Sequence, residues 1–253
     1  MNIISPVVSI ITPTYNSAST LRETILGIKS QSFTSWELLV VDDGSLDDSY
    51  DIARQFAVDD VRIRVWRLES NAGPATARNV AIEKSQGRYI AFCDSDDVWS
   101  PQKLEKQVNT LKRVGAAICF TSYLKISDQG IAEKRVVRAE KQVDYSMMLR
   151  SNYIGCSTAI YDTSLCGKVL MPNFKRRQDY GLWLKILKKG HTAVGIHDPL
   201  VYYRIRSNSI SNNKLKAAKY HWLVLREVAE IPLPFACWLF LQYTWRGFLK
   251  ARI

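Results

Sequence analysis

Short β-branched runs alternate with amphipathic stretches through the first 115 residues. Val7 to Thr12 (VVSIIT), stopped by Pro13, has the pattern of a parallel strand buried on both faces. After Ser19-Thr20, the residues Leu21, Ile25, Leu26 and Ile28 recur at helical spacing. A second strand is expected at Glu37 to Val41, a helix at Asp47 to Ala57 and a third strand at Ile63 to Leu68. A helix follows from Ala75 to Ser85, entered through Asn71-Ala72-Gly73-Pro74, and then a fourth strand, Arg88 to Cys93. Strands alternating with helices of this length predict βαβ units, a mostly parallel sheet flanked by helices.

The second half is less regular. Pro101 to Val114 reads as a helix, Ala116 to Ile126 as a strand and Asp128-Gln129-Gly130 as a turn. Gln178 to Lys188 places Leu182, Trp183, Ile186 and Leu187 on one helical face, and Thr192 to Ile196 and Leu200 to Tyr203 are short strand candidates. Between Ser122 and Arg177 no motif stands out. With no repeat and no linker, one domain with a C-terminal appendage is expected. That appendage includes Ile231 to Leu249 (IPLPFACWLFLQYTWRGFL), whose apolar core is broken by Pro234 and followed by Gln242, Thr244 and Arg246. It is too short to span a bilayer, which takes about 20 apolar residues. Trp238, Tyr243 and Trp245, with Arg226, Arg246, Lys250, Arg252 and the upstream Lys214, Lys216 and Lys219, instead suit a segment lying among lipid headgroups. The competing reading is a helix packed on the domain.

Composition narrows the class. A chain of 253 residues with 47% hydrophobic and 23% charged positions is neither disordered nor fibrous. Its net charge of +11 is unevenly placed: Met1 to Trp99 holds nine Lys and Arg against fourteen Asp and Glu, and the remainder 26 against ten. An acidic front and a basic back argue against a nucleic-acid binder and for a basic surface facing something anionic. The five cysteines are scattered without a C-x-x-C pair, which suits free thiols in a reducing compartment. Met1 to Ile11 has no basic start or long apolar run, so no secretory signal is expected and the protein is placed in the cytoplasm.

Ligands of parallel α/β sheets sit beyond the carboxyl ends of the strands. Three polar clusters fall there: Pro13-Thr14-Tyr15-Asn16, Asp42-Asp43, and Asp94-Ser95-Asp96-Asp97. Carboxylates at alternate positions of a tight turn converge on a hard divalent cation such as Mg²⁺ or Mn²⁺. The alternative is a solvated loop capping the next helix; its place at a strand end favours the metal. Asp42 or Asp43 can accept a hydrogen bond from a nucleotide base, while Asp47 reads equally well as a helix N-cap. The Asn71 to Pro74 turn presents helix N–H groups that favour an anion, with Arg78 one turn in, unless Arg78 is only a surface charge.

The set Val8 to Asn16 (VSIITPTYN), Val40 to Ser45 (VVDDGS), Asn71-Ala72-Gly73 with Ala77-Arg78-Asn79, and Asp94 to Asp97 resembles the family 2 glycosyltransferases of GT-A fold in order and spacing. A weaker resemblance continues through Gln178 to Leu184 (QDYGLWL) and Tyr203 to Ser211 (YRIRSNSIS), which look like segments of bacterial enzymes building O-antigen, capsule or related polysaccharides. The resemblance implies an α/β, Rossmann-like catalytic domain over 1–212, with a nucleotide-sugar half (1–115) and an acceptor half (116–212), and an amphipathic helical extension over 213–253. It implies that Thr14 and Tyr15 line the nucleotide pocket beside Pro13, and that one of Asp42 and Asp43, rather Asp43, binds the base. Asp94, next to Ser95, would contact the ribose and Asp96 the metal, with Asp97 sharing it. Asp179 would be the general base of an inverting transfer. Two departures are visible: Gln178 stands where the family pair usually has Glu, and Arg206 where a His is common. Arg206 cannot ligate a cation but suits contact with a diphosphate.

The expected function is therefore a metal-dependent (Mn²⁺ or Mg²⁺) inverting transfer from a nucleotide donor, a UDP-sugar, to an undecaprenyl-diphosphate-linked saccharide. The protein would sit peripherally on the inner face of the bacterial inner membrane. A noncatalytic nucleotide-sugar or glycan-binding module and a nucleotidyltransferase on a similar frame are the alternatives.

Overall fold

The computed structural model describes residues 5–205 and 214–250. Ten strands form one mixed sheet in the order β3-β2-β1-β4-β9-β6-β10-β5, with β7 beside β6 and β8 beside β10. The front half follows the βαβ expectation: β1 (Val8–Thr14), α1 (Ala18–Lys29), β2 (Trp36–Asp42), α2 (Ser49–Asp59), β3 (Ile63–Arg67), α3 (Pro74–Lys84) and β4 (Tyr89–Phe92). β1 pairs parallel with both β2 and β4, and β2 with β3. The side on which consecutive strands are added reverses at β1, so a crevice opens between β1 and β4 at their carboxyl ends.

β1 and β2 are buried at every position, which explains their unbroken apolar runs. Side chains alternate between the two faces. Ile11, Leu39, Val41, Ile90 and Phe92 enter one core layer, and Ile10, Leu38, Val40 and Ala91 the other. α1 and α2 cover the second layer with Leu21, Ile25, Ile28, Ala53 and Phe56, and α3 covers the first with Ala77, Ala81 and Ile82. Pro13 does not end β1, which runs on to Thr14. The carbonyl of Ile11 accepts from Cys93 N on the β4 side, so Pro13, two residues on, directs its missing N–H to that same side. The β1–β4 ladder has already ended at Ile11, so no hydrogen bond is lost.

The chain leaves β4 through the acidic turn to β5 (Val98–Trp99), α4 (Lys103–Val114) and β6 (Ile118–Ile126). The motif-free region proves to be structured: β7 (Ala132–Val137), β8 (Gln142–Val143), α5 (Tyr145–Arg150), β9 (Ile160–Asp162) and α6 (Thr163–Cys166). These elements are too short for periodicity to show, but two carry local signals, since Asp144 caps α5 and Asp162 caps α6. β9 is the antiparallel wedge between β4 and β6 that joins the two halves.

α7 (Gln178–Leu187) leads to β10 (Ala193–Arg204), one long strand where two were expected. The gap between them is a register irregularity around Pro199, which cannot donate to the ladder. α8 (Lys214–Leu223), a π-helical turn (Val224–Val228) and α9 (Leu233–Lys250) complete the described chain. Val224, Leu225, Ala229, Ala236 and Leu239 bury themselves in the core layer that holds α7. Leu233, Phe235, Trp238 and Leu241 of α9 are exposed. Among the described residues no helix is long and apolar enough to cross a membrane.

Candidate active site

The carboxyl ends of β1, β2 and β4 open into a cavity of about 940 Å³. Pro13, Thr14 and Tyr15 at the tip of β1 form one wall of it. The turn after β1 is held by the turn after β2: Asn16 N donates to Ser45 Oγ (3.0 Å) and Ser17 N to Ser49 Oγ (2.7 Å). Asp47 braces two helix starts rather than one, accepting from Ala18 N (3.0 Å) at α1 and from Ser49 N (3.0 Å) at α2. Asp47 is not the N-cap itself, a position held by Asp48, but it accepts from the first helical N–H, that of Ser49.

The two acids at the tip of β2 separate as strand alternation requires. Asp42 turns beneath the surface, accepting from Ser45 N at 3.0 Å and lying 3.4 Å from Arg67 Nε. Asp43 lines the cavity, its two carboxylate oxygens accepting from Ala72 N (2.8 Å) and Gly73 N (2.9 Å). The anion expected at the α3 N-terminus is thus the protein's own Asp43. Burial pushes the Asp43 carboxyl above its ordinary pKa, against the pull of these two N–H groups, and Asp42 pushes the same way. Each Asp43 oxygen retains a lone pair for a ligand.

Arg78 is no surface charge. It is buried within α3, and its Nη2 donates to Asp94 Oδ1 at 2.5 Å. Its guanidinium pKa is raised: burial opposes the charge, but Asp94 foremost and Asp179 more weakly favour it. Arg78 therefore links the acids of the two halves.

The acidic turn divides. Asp94 and Asp96 line the cavity, whereas Ser95 and Asp97 do not. Ser95 Oγ donates to Ser17 Oγ at 2.9 Å, and its carbonyl accepts from Thr20 Oγ1. Asp97, expected to share the metal, is wholly buried with Oδ1 accepting from Arg204 N at 3.0 Å. Burial, reinforced by Asp96 and Asp94, pushes its carboxyl well above the ordinary range. Among the described residues no group of three His, Cys, Asp or Glu converges to hold a metal. The donor set is narrower than expected: Asp94 and Asp96 line the cavity, Asp94 with Arg78 bound to it.

Arg204, a residue sequence reasoning did not single out, organises this turn. Its Nε donates to the Asp96 carbonyl (2.9 Å), Nη1 to the Asp128 carbonyl (2.9 Å) and Nη2 to Glu23 Oε2 (2.5 Å). It falls within the Tyr203 to Ser211 segment, but its role shows only in the fold, because its partners lie on three separate segments. Arg206 lies outside the described residues.

Asp179, in the first turn of α7, lines the same cavity. Burial raises its pKa above the ordinary carboxylate value; the Tyr180 N–H, Arg78 and Arg177 draw it back, and Asp94 pushes it further up. Asn152 Nδ2 is 3.4 Å from Asp179 Oδ2. Lys175, Arg176 and Arg177 continue this wall, and Ala217 and Tyr243 of the C-terminal helices close it. The sequence placed Asp179 here but not the C-terminal helices.

The family model for glycosyl transferase family 2 matches residues 9–200. The chain belongs to glycosyl transferase family 2. Among curated relatives, it is 43% identical over 248 residues to the putative teichuronic acid biosynthesis glycosyltransferase TuaG of Bacillus subtilis, covering 98% of both chains. It is 37% identical over 227 residues to the UDP-Glc:alpha-D-GlcNAc-diphosphoundecaprenol beta-1,3-glucosyltransferase WfgD of Escherichia coli, covering 89% of this chain and 88% of that one. Its fold is that of the GT-A enzyme TarS of S. aureus, solved with UDP-GlcNAc, at a TM-score of 0.72 and 21% identity over 95% of this chain and 72% of TarS. The chain is a glycosyltransferase, so the noncatalytic module and the nucleotidyltransferase fall away.

Proposed function

We propose that this glycosyltransferase moves a sugar from a UDP donor to a saccharide carried on a lipid diphosphate, with inversion at the anomeric carbon. The observation that carries this reading is the placement of Asp179 in one cavity with Asp43, Asp94 and Asp96, on a different element from all three. Direct displacement needs a base on the acceptor hydroxyl, on the face opposite the departing diphosphate, and a carboxylate apart from the donor cluster fills that role. A base works best with a pKa near the working pH, and burial moves Asp179 in that direction. In this reading Asp43 and Tyr15, which line the cavity, hold the nucleoside, and Asp94, paired with Arg78, the ribose.

Asp96, which lines the cavity, suits Mg²⁺ or Mn²⁺, which bind by one or two carboxylates together with substrate phosphates. Such an ion, when bound, neutralises charge on the leaving diphosphate. The donor and acceptor classes are supported by WfgD, whose name gives UDP-Glc and a GlcNAc-diphosphoundecaprenol. The exposed Leu233, Phe235, Trp238 and Leu241 give α9 an apolar outer face, suited to lying at the inner membrane surface where such an acceptor is found.

Incubation with UDP-sugars, Mn²⁺ and a GlcNAc-diphosphate-lipid acceptor should yield a disaccharide-lipid by mass spectrometry, and excess chelator should suppress it. No product from any UDP-sugar overturns the reading. Flotation with anionic liposomes tests the α9 face: Trp238→Ser combined with Leu241→Ser should reduce binding, and unchanged binding removes the membrane role of α9.

A further inference from the structure

The cations that line the cavity differ in how fully they are used. Arg78 is committed to Asp94, and Arg204 to Glu23 and backbone carbonyls. Arg177 donates from Nε to the Ala217 carbonyl (3.0 Å) and from Nη2 to Tyr243 Oη (2.6 Å). Arg176 is the exception. It lines the cavity half-buried, and its Nη1, shielded from solvent, has no hydrogen-bond partner among the described residues. A buried guanidinium N–H without an acceptor is costly, so the arrangement is best satisfied by a ligand that supplies one. Lys175, exposed beside it on the same wall, adds a second charge.

The position of this turn says which ligand. Asp179 lies three residues on, so an acceptor hydroxyl at Asp179 belongs to a sugar whose other end is close to the turn. In a saccharide joined directly to a diphosphate, the phosphates begin one sugar ring from the reacting hydroxyl. Arginine matches phosphate oxygens in planar, charge-assisted pairs, and lysine adds a point charge. The turn itself is held from afar: Arg177 has a left-handed backbone (φ 59) and is anchored by α8 and α9 through Ala217 and Tyr243.

We propose that Arg176, with Lys175, binds the diphosphate of the acceptor, and that α8 and α9 hold the turn in place through Arg177. This rests on the reading of the chain as a transferase acting on diphosphate-linked saccharides. The C-terminal helices are then part of the acceptor site as well as a surface for the membrane, and one face of α9 serves each purpose.

The test compares two soluble acceptors, a short-alkyl GlcNAc-diphosphate and an alkyl GlcNAc glycoside without phosphates, so that membrane binding plays no part. Arg176→Gln should raise KM for the diphosphate acceptor at least tenfold, leave KM for the UDP donor unchanged, and collapse the preference for the diphosphate acceptor over the glycoside. Arg176→Lys should restore part of that preference. An unchanged preference, or a rise in donor KM in its place, overturns the subsite. If the wild type transfers to neither acceptor while still releasing UDP from donor, the functional reading itself fails and the subsite with it. Thermal melting and UDP binding of each variant separate these outcomes from misfolding.

Discussion

The two walls of the cavity are built differently. The donor wall is braced by short-range turn chemistry: Asn16, Ser45, Asp47 and Ser49 tie the β1 and β2 tips together, and Asp43 holds the entrance to α3. The acceptor wall has few such braces. Its turn depends on α8 and α9, drawn from 40 and 66 residues further along the chain, and it leaves Arg176 Nη1 unpaired. On the proposed function, the nucleotide meets a wall braced by local turn chemistry and the acceptor meets one whose shape is set by distant elements.

The largest effect expected is chemical. Asp179→Asn removes the proposed base and should lower kcat by about 10²–10⁴-fold, the usual contribution of general base catalysis, while UDP binding by calorimetry persists. Loss of UDP binding would place Asp179 on the donor wall and break the contrast. In the wild type, activity should fall on the acid side at higher pH than an ordinary carboxylate would dictate, because burial raises the Asp179 pKa and only the ionised form accepts the proton.

Arg204→Ala probes the bracing of the acidic turn. It removes a buried cation that joins four segments and should cost about 3–5 kcal/mol in chemical denaturation, with weaker UDP binding. Tyr243→Phe should act on the opposite wall alone. Losing a hydrogen bond to a charged group costs about 1.5–3 kcal/mol, and acceptor KM should rise with donor KM unchanged. Equal changes in both would show that the walls are not separable.

The smallest effect concerns His221, which stacks between Tyr180 (5.3 Å) and Tyr243 (4.0 Å) with neither ring nitrogen hydrogen-bonded among the described residues. Burial, with Arg177 nearby, lowers its pKa from 6.5 to about 3. The folded state then binds fewer protons than the unfolded one in that interval, so the stability present above pH 6.5 is lost as pH falls towards 3. His221→Phe keeps the stacking and relieves the unsatisfied nitrogens. It should stabilise the protein by about 1–3 kcal/mol and flatten the acid side of a Tm-against-pH profile.

Much of the donor wall was legible in the chain. Strand periodicity located β1 to β4, and the polar residues that interrupt it, Thr14, Asp43, Asp94 and Asp96, are those that reach the cavity. Side-chain alternation also separated Asp43 from Asp42. The same reasoning could not separate Asp96 from Asp97, because a turn has no fixed period and the partners that hold Asp97 inward, Ser157 and the Arg204 backbone N–H, come from distant segments. Short elements such as β9 and α6 left no periodic trace, and Pro199 disguised one strand as two.

By itself, then, the sequence determined what local pattern controls, the βαβ order and the strand-end acids, while Asp179 was marked only by the family resemblance. Only the tertiary structure decided what depends on contacts between distant segments. It tied Arg78 to Asp94, routed Arg204 into the acidic turn, and brought Tyr243 against Arg177. Backbone preference and side-chain alternation act over a few residues and are written in order along the chain. Partner choice for a buried charge is settled only when packing removes water and a single acceptor remains within reach.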